Sequence, residues 1–416
     1  MMGDDIFIII GAGHAGVRAA KKMRDLGFGG KIIMIAKDGV QHPYERPPLS
    51  KWRFENGASF IEMKPIISAE IWAELNIEVI NARVTRIDKI GRAIWLENGV
   101  CLNYHKLLLA TGARARKLSI NGADEVHHLR DIKDAKRLYK AAETAKSALI
   151  LGGGFIGLEL AASLVQSGVQ VHIVEMSDRL LGRSMSAKIA KIVHDLHEEK
   201  GVKFHLSAHL ISCAKRDNIY QITLNDGTQL DADILIAGIG SIANTDLADD
   251  AGLSVKNGIR VDRFMQTSDL HIFAAGDCCN FPLYGDETNP TRLESWQAAG
   301  THGDIAAFNM LCSEDERENC DALIPWFWSE QYDHVLQVVG ISCPESIPTE
   351  RNYSKDHHMT FSSGSDNTLQ SACGIAPQTK IAKDIRFAMK LIIAKSPVTI
   401  DELSNPNIGI KSFIKT

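Results

Sequence analysis

IFIIIGAGHAGVRAAKKMRDLGFGGKIIMI, residues 6–35, passes from five apolar residues through a cluster of glycines into helical apolar spacing, and out again into a second apolar run. That order predicts strand, glycine turn, amphipathic helix, strand: a βαβ unit. SALILGGGFIGLELAASLVQSGVQVHIVE, residues 147–175, repeats it. Gly11, Gly13 and Gly16 in the first copy, and Gly152, Gly154 and Gly157 in the second, fit G-x-G-x-x-G. With 33 glycines in 416 residues, chance supplies only about 0.2 such matches in the chain, before the strand–turn–helix context is required. Glycines can merely tighten a turn, but two copies in context favour a chemical reason. Without Cβ atoms the backbone can approach a pyrophosphate, and the unpaired N–H groups at the helix N-terminus stabilise its charge. Two dinucleotides are implied, with Ala15 and Ile156 inside the two fingerprints.

The ends of the second strands separate the two sites. Glu175 lies 18 residues after Gly157, placed to accept hydrogen bonds from a ribose 2′-OH and to repel a 2′-phosphate, which favours NADH over NADPH. In the first unit Asp38 is the nearest acid, with Lys37 before it. Further apolar runs, ADILIAGIG (232–240, ending near Gly238) and DLHIFAAGD (269–277), predict more buried strands. The polar, turn-rich stretches 114–124 and 240–246 suit crossings between domains. The expected fold is α/β: two Rossmann-like dinucleotide-binding domains, one inserted in the other, plus a C-terminal α+β domain. The boundaries are 1–115 with 240–319, then 116–239, then 320–416. From about 320 the texture changes to PWFWSEQYDHVLQVVG, strand-like pieces and a basic amphipathic helix near 380–395.

Composition excludes several classes. A net charge of -5 with no basic run interleaved with aromatics gives no expectation of nucleic-acid binding. The apolar runs are strand-length, so no membrane span is expected. The N-terminus has no basic n-region ahead of its apolar run, and a cytoplasmic protein is expected. Eight cysteines include no Cys-x-x-Cys pair, which points to free thiols in a reducing compartment. His127–His128 and His357–His358 are adjacent, a spacing that rarely converges on one ion, so no metal site is expected.

IFIIIGAGHAG, PYERPPLSK, LLLATGA, LGGGFIGLELAASL ending in HIVE, IFAAGD, LESWQAA and PWFWSEQYDHVLQVVG together resemble the FAD-dependent, NADH-linked ferredoxin reductases of bacterial oxygenase systems, on a glutathione-reductase-like fold. The resemblance implies FAD on the first βαβ unit and NADH on the inserted one. It places Gly11, Gly13 and Gly16 at the FAD pyrophosphate and Asp277 at the ribityl chain, for which a helix N-cap is the plainer alternative. Thr111 and Gly112 would close one side of the FAD site, with Arg130, Arg46 and Trp296 also approaching FAD. Pro47 and Pro48 fix φ and are expected to exclude helix before Leu49, presenting Lys51 on a rigid corner. In the family this lysine lies beside the isoalloxazine, where a fixed cation favours negative charge on reduced flavin. Glu159, two residues past Gly157, would sit in the first helical turn, where the helix dipole alone would favour a carboxylate. The resemblance makes it a nicotinamide-side residue, expected to pair with Lys51, and assigns Arg183 to NADH.

The resemblance further implies electron delivery to a [2Fe-2S] ferredoxin feeding a mono- or dioxygenase, by a monomer or weak homodimer. A thiol substrate would need a cysteine pair beside the flavin, and residues 41–57 contain none. A quinone or other small acceptor, or an NAD-sensing role like that of apoptosis-inducing factor, would share every nucleotide motif. Trp326, Phe327 and Trp328 suit a flavin shield, a docking surface or core packing equally. Residues 342–372 depart from the family pattern.

Overall fold

The computed structural model describes residues 4–37, 43–55, 58–120, 122, 125–182, 184–343, 345–378 and 380–414. Asp38 and Arg183 lie outside the described residues. The chain forms two compact units: Met1–Glu45, Met63–Arg114 and Ile242–Leu323 make the first, and Arg46–Glu62, Ala115–Ser241 and Ile324–Thr416 the second.

In the first unit, five parallel strands form one sheet in the order Ile272–Ala274, Lys106–Leu109, Ile6–Ile10, Lys31–Ile35, Glu78–Ile80. The three central strands are apolar almost throughout because a parallel sheet is covered on both faces. Ile6–Ile10 has Lys31–Ile35 on one side and Lys106–Leu109 on the other. Strand order therefore reverses at its carboxyl end, where ligands of open α/β sheets bind. Helix His14–Asp25 leaves from that point and packs on helix Trp296–Leu311.

The second unit repeats the arrangement with four parallel strands, Lys203–His205, Gln170–Val174, Ser147–Leu151 and Ile234–Ala237. Order reverses at Ser147–Leu151, and helix Phe155–Gln166 leaves its carboxyl end. This unit also holds a five-stranded antiparallel sheet, ordered Trp326–Gln331, His334–Gly340, Leu369–Pro377, His357–Ser363, Ile347–Ser354. Helix Ala382–Ala394 packs on it through Ile385, Ala388, Leu391 and Ile392. Strands Ile347–Ser354 and His357–Ser363 come from the stretch where the sequence departs from the family pattern. Its alternation is masked because polar side chains point inward: Thr349 and Arg351 are buried, and Arg351 is fully so.

Candidate functional site: two dinucleotide turns and a buried lysine–glutamate pair

The two glycine turns are built alike. Gly11 N–H donates to Ile35 O at 2.9 Å, and Gly152 N–H donates to Val174 O at 2.8 Å. Gly11 has φ of +117° and Gly152 of +104°, conformations that only glycine adopts without strain. A Cβ on Gly11 would fall on the carbonyl of Ala110, and one on Gly152 would lie 2.5 Å from Gly238 O. A Cβ on Gly16 or Gly157 would strike the carbonyl of Gly11 or Gly152 respectively. Gly13 and Gly154 are the N-caps of their helices and provide no side-chain cap, and neither helix has an acid in its first turn. Both helices thus present N–H groups without a side-chain acceptor, which is the donor set a pyrophosphate takes.

Around the first turn, Ala15 is buried, and its Cβ would lie 3.0 Å from a Cβ built on Gly276. Asp277 follows in the turn between strands Ile272–Ala274 and Cys279–Asn280, so the N-cap alternative is corrected: no helix starts there. Thr111 Oγ1 donates to Asn244 O at 2.7 Å, Asn244 Nδ2 donates to Thr111 O at 2.8 Å, and Asn244 N–H donates to Gly112 O at 2.9 Å. These bonds hold the 111–112 turn in place. Trp296 opens helix Trp296–Leu311 and packs on His14 at a tilt, with ring centroids 4.4 Å apart and an interplanar angle of 34°. His14 is a residue the sequence reading missed. Burial, helped by the charge of Arg18 and opposed by Asp277, lowers its pKa to about 4, so the ring is neutral. Neither of its nitrogens has a hydrogen-bond partner among the described residues. Orphaned polar atoms beside uncapped N–H groups at a switch point fit a bound dinucleotide.

Around the second turn, Glu175 accepts from Gly153 N–H at 2.7 Å through Oε2 and from Ser177 N–H at 2.8 Å through Oε1. The carboxylate is thereby aimed, and each oxygen keeps a lone pair for a ribose hydroxyl. Ile156 is exposed at the helix start, while Gly238 N–H donates to Leu151 O at 2.8 Å beside the turn. These residues fit a second dinucleotide.

Two expectations about the elbow are corrected. Pro47 and Pro48 do not exclude helix; they open a 3-10 turn, Pro47–Ser50. The first helical positions need no N–H, and the fixed φ of proline suits them. Glu159 is not in the first turn of its helix, because the helix begins at Phe155 and Glu159 is its fifth residue. The dipole therefore does not account for it. It lies buried instead, with Lys51 Nζ 3.1 Å from Oε1 and Ser329 Oγ donating to the same oxygen at 2.6 Å. Ser50 Oγ donates to Oε2. Lys51 also donates to Pro47 O at 2.8 Å, and its side chain is only 10% exposed. One turn along the helix, Ser163 Oγ donates to Ser50 O at 2.9 Å and accepts from Trp52 N–H at 3.1 Å. Helical spacing thus puts Glu159 and Ser163 on one face, pinning the elbow at three points. Arg46 is exposed just before the 3-10 turn, and Arg130 is half-buried, its N–H donating to Asp134 Oδ2 at 3.1 Å.

Two nucleotide-shaped turns on reversed parallel sheets define a dinucleotide-dependent oxidoreductase. The pyridine nucleotide-disulphide oxidoreductase family matches residues 6–303, the reductase C-terminal family matches 326–414, and the chain belongs to the family that joins them. Its cofactors are FAD and NAD(H). The C-terminal match runs through 342–372, so the departure expected there does not separate this chain from the family.

The chain is 33% identical over 420 residues, 99% of its length and 100% of the relative's, to the anthranilate 1,2-dioxygenase system ferredoxin–NAD(+) reductase component of Burkholderia cepacia. It is 37% identical to the 3-phenylpropionate/cinnamic acid dioxygenase ferredoxin–NAD(+) reductase component of Photorhabdus laumondii, covering 88% of this chain and 92% of that one. Among solved structures, a ferredoxin reductase from Rhodopseudomonas palustris has a TM-score of 0.88 at 30% identity, covering 98% of this chain and 99% of that one. Among the described residues, no helix is long and apolar enough to cross a membrane.

Proposed function

We propose that the protein carries electrons from NADH through FAD to a [2Fe-2S] ferredoxin that feeds a mono- or dioxygenase. FAD held by this chain would supply the link between a two-electron hydride donor and a one-electron acceptor. The chain's own residues bind and orient. Gly11, Gly13, Ala15 and Gly16 would receive the FAD pyrophosphate, with Asp277, Thr111, Gly112, Trp296, Arg46, Arg130 and Asp38 completing that site. Gly152, Gly154, Ile156, Gly157 and Gly238 would receive NADH, with Glu175 on the ribose and Arg183 on the same cofactor. Lys51 would hold a fixed positive charge for the isoalloxazine, and Glu159 would face the nicotinamide. In domain terms, 1–115 with 240–319 would bind FAD, 116–239 NADH, and 320–416 would form the interface domain.

The observation that carries this reading is the elbow. Where reduction of a disulfide substrate would need a thiol pair, residues 41–57 contain no cysteine, and the turn instead delivers a lysine, buried and paired with Glu159. With thiol substrates disfavoured, outward electron transfer is the use of reduced flavin that this elbow suits. Relatives named as ferredoxin reductase components support the choice of acceptor. All eight cysteines are unpaired, which supports a reducing compartment such as the cytoplasm. A monomer or weak homodimer suffices. The test is cytochrome c reduction by NADH or NADPH, with and without [2Fe-2S] ferredoxins. Ferredoxin-dependent turnover with NADH is expected; fast quinone reduction with no ferredoxin-dependent rate would overturn it.

A further inference from the structure

Strand Trp326–Gln331 is the edge of its sheet, and its side chains alternate between two faces. Trp326 and Trp328 stack on one face, with centroids 5.1 Å apart. Phe327, Ser329 and Gln331 fall on the other. Phe327 meets Phe155 edge-on at 4.9 Å, Ser329 meets Glu159, and Gln331 meets His197 of helix Ala187–Glu199. Ser329, Gln331 and His197 have no exposed surface at all. A strand laid on two helices is ordinarily filled with apolar side chains, so three wholly buried polar ones call for a reason.

Their hydrogen bonds have only one consistent direction. An ionised carboxylate accepts only, so Ser329 Oγ–H must donate to Glu159 Oε1 at 2.6 Å. With its proton committed, Ser329 Oγ must accept at its 2.9 Å contact with Gln331, which makes that atom the amide nitrogen. Gln331 Oε1 then faces His197 Nε2 at 2.9 Å and can only accept, so the ring proton is on Nε2. His197 Nδ1 is left as an acceptor for the Tyr332 hydroxyl at 3.2 Å. Tyr332 is half-buried in the two-residue turn that follows, with φ of +57°. Burial lowers the pKa of His197 to about 4 and raises that of Tyr332, so the neutral forms this ordering needs are the forms present. Aligned donors polarise one another, and the series of four ends on one oxygen, Glu159 Oε1, which Ser329 alone of the four touches.

We propose that Ser329, Gln331, His197 and Tyr332 are positioning residues for Glu159, a one-way chain of hydrogen bonds that fixes its carboxylate for the nicotinamide half-reaction. Glu159 needs such support because Lys51 and Ser50 approach from the elbow side only; without the chain its Oε1 has a single partner, Lys51. The proposal rests on the reading of Glu159 given above, and the tests keep the two apart.

The first test is stopped-flow reduction of the FAD-bound enzyme by saturating NADH, in a double-mutant cycle. Gln331→Met should slow reduction about tenfold, the loss of roughly one well-placed hydrogen bond, the one that orients Ser329 towards the carboxylate. In the Glu159→Gln background the same change should alter the rate less than twofold, because the residue it acts through is already neutral. Equal factors in both backgrounds would mean a merely structural role and overturn the proposal. If Glu159→Gln alone leaves the rate unchanged, the reading of Glu159 fails and takes the proposal with it. If Glu159→Gln is slow while Gln331→Met and Tyr332→Phe match the parent, only the chain is refuted. Tyr332→Phe removes one half-buried hydroxyl and decides the matter if Gln331→Met does not fold, with about a threefold slowing expected. The second test needs no turnover. Long-range proton–nitrogen spectra of 15N-histidine-labelled protein should contain one neutral ring with a protonated Nε2 that His197→Phe removes. A proton on Nδ1 of that ring would overturn the direction of the chain.

Discussion

Gly11→Ala and Gly152→Ala place the same methyl group in two turns of the same design, and they should have opposite consequences. At Gly11 the φ of +117° is closed to an L side chain, and the new Cβ falls on Ala110 O. At Gly152 the φ is +104° and the Cβ lies 2.5 Å from Gly238 O. Holding alanine in such a conformation costs about 1–3 kcal/mol, and relieving the overlap moves the strand end against the helix N-terminus. Since about 1.4 kcal/mol is tenfold in an equilibrium constant, each bound dinucleotide should weaken by ten- to a hundredfold. FAD affinity is read by quenching of flavin fluorescence on titration into apoprotein, and NADH affinity from the concentration dependence of flavin reduction. Gly11→Ala should lose FAD while Gly152→Ala keeps it and needs ten- to a hundredfold more NADH. The reverse pattern, or FAD loss from both, would refute the assignment of the two turns.

Glu175→Ala should lower the NADH-over-NADPH ratio of kcat/KM at least about tenfold, since it removes a carboxylate held by Gly153 and Ser177 for a ribose; an unchanged ratio in steady-state assays would refute that role. Arg351→Met should destabilise the fold by about 3 kcal/mol in urea unfolding, because the carbonyls of Glu402, Leu403 and Ile408 lose their buried donor, while FAD content stays constant. Acid should weaken the protein through His14, His127, His197 and His302, whose pKa values burial lowers from 6.5 to about 4. The unfolded chain takes up these protons near pH 6.5 and the fold only near 4, so stability is whole above pH 6.5 and is lost as pH falls towards 4. A Tm that stays flat between pH 7 and 4.5 would contradict this.

Both nucleotide folds were legible because their determinants are local: apolar runs of five, glycines at fixed spacing and a helical period, all within 30 residues of each other. The elbow was legible as rigid but not in form, since two prolines at the start of a 3-10 turn look the same in sequence as two that forbid a helix. Glu159 was legible as a candidate but not in environment. Its partners come from residues 50, 51 and 329, and no periodicity links positions so far apart. The buried polar chain beyond it was invisible for the same reason, and because Ser329 and Gln331 are residue types that usually face solvent. His14 occupies a variable position of a fingerprint defined by its glycines, so the spacing gives it no signal of its own. Strand Ile347–Ser354 was obscured by its inward Thr349 and Arg351, which break the apolar alternation a strand is recognised by.

Residues 46–62 leave the first unit and belong to the second, where Ser163 holds the backbone of Ser50 and Trp52, and Tyr139 meets the hydroxyl of Ser59 at 3.1 Å. For anyone wishing to exchange coenzyme preference by transplanting a module from another reductase, the natural cassette is therefore discontinuous. A donor segment spanning 115–241 alone would arrive without the hairpin its helices were shaped around, whereas one carrying its own counterpart of 46–62 would bring matched surfaces.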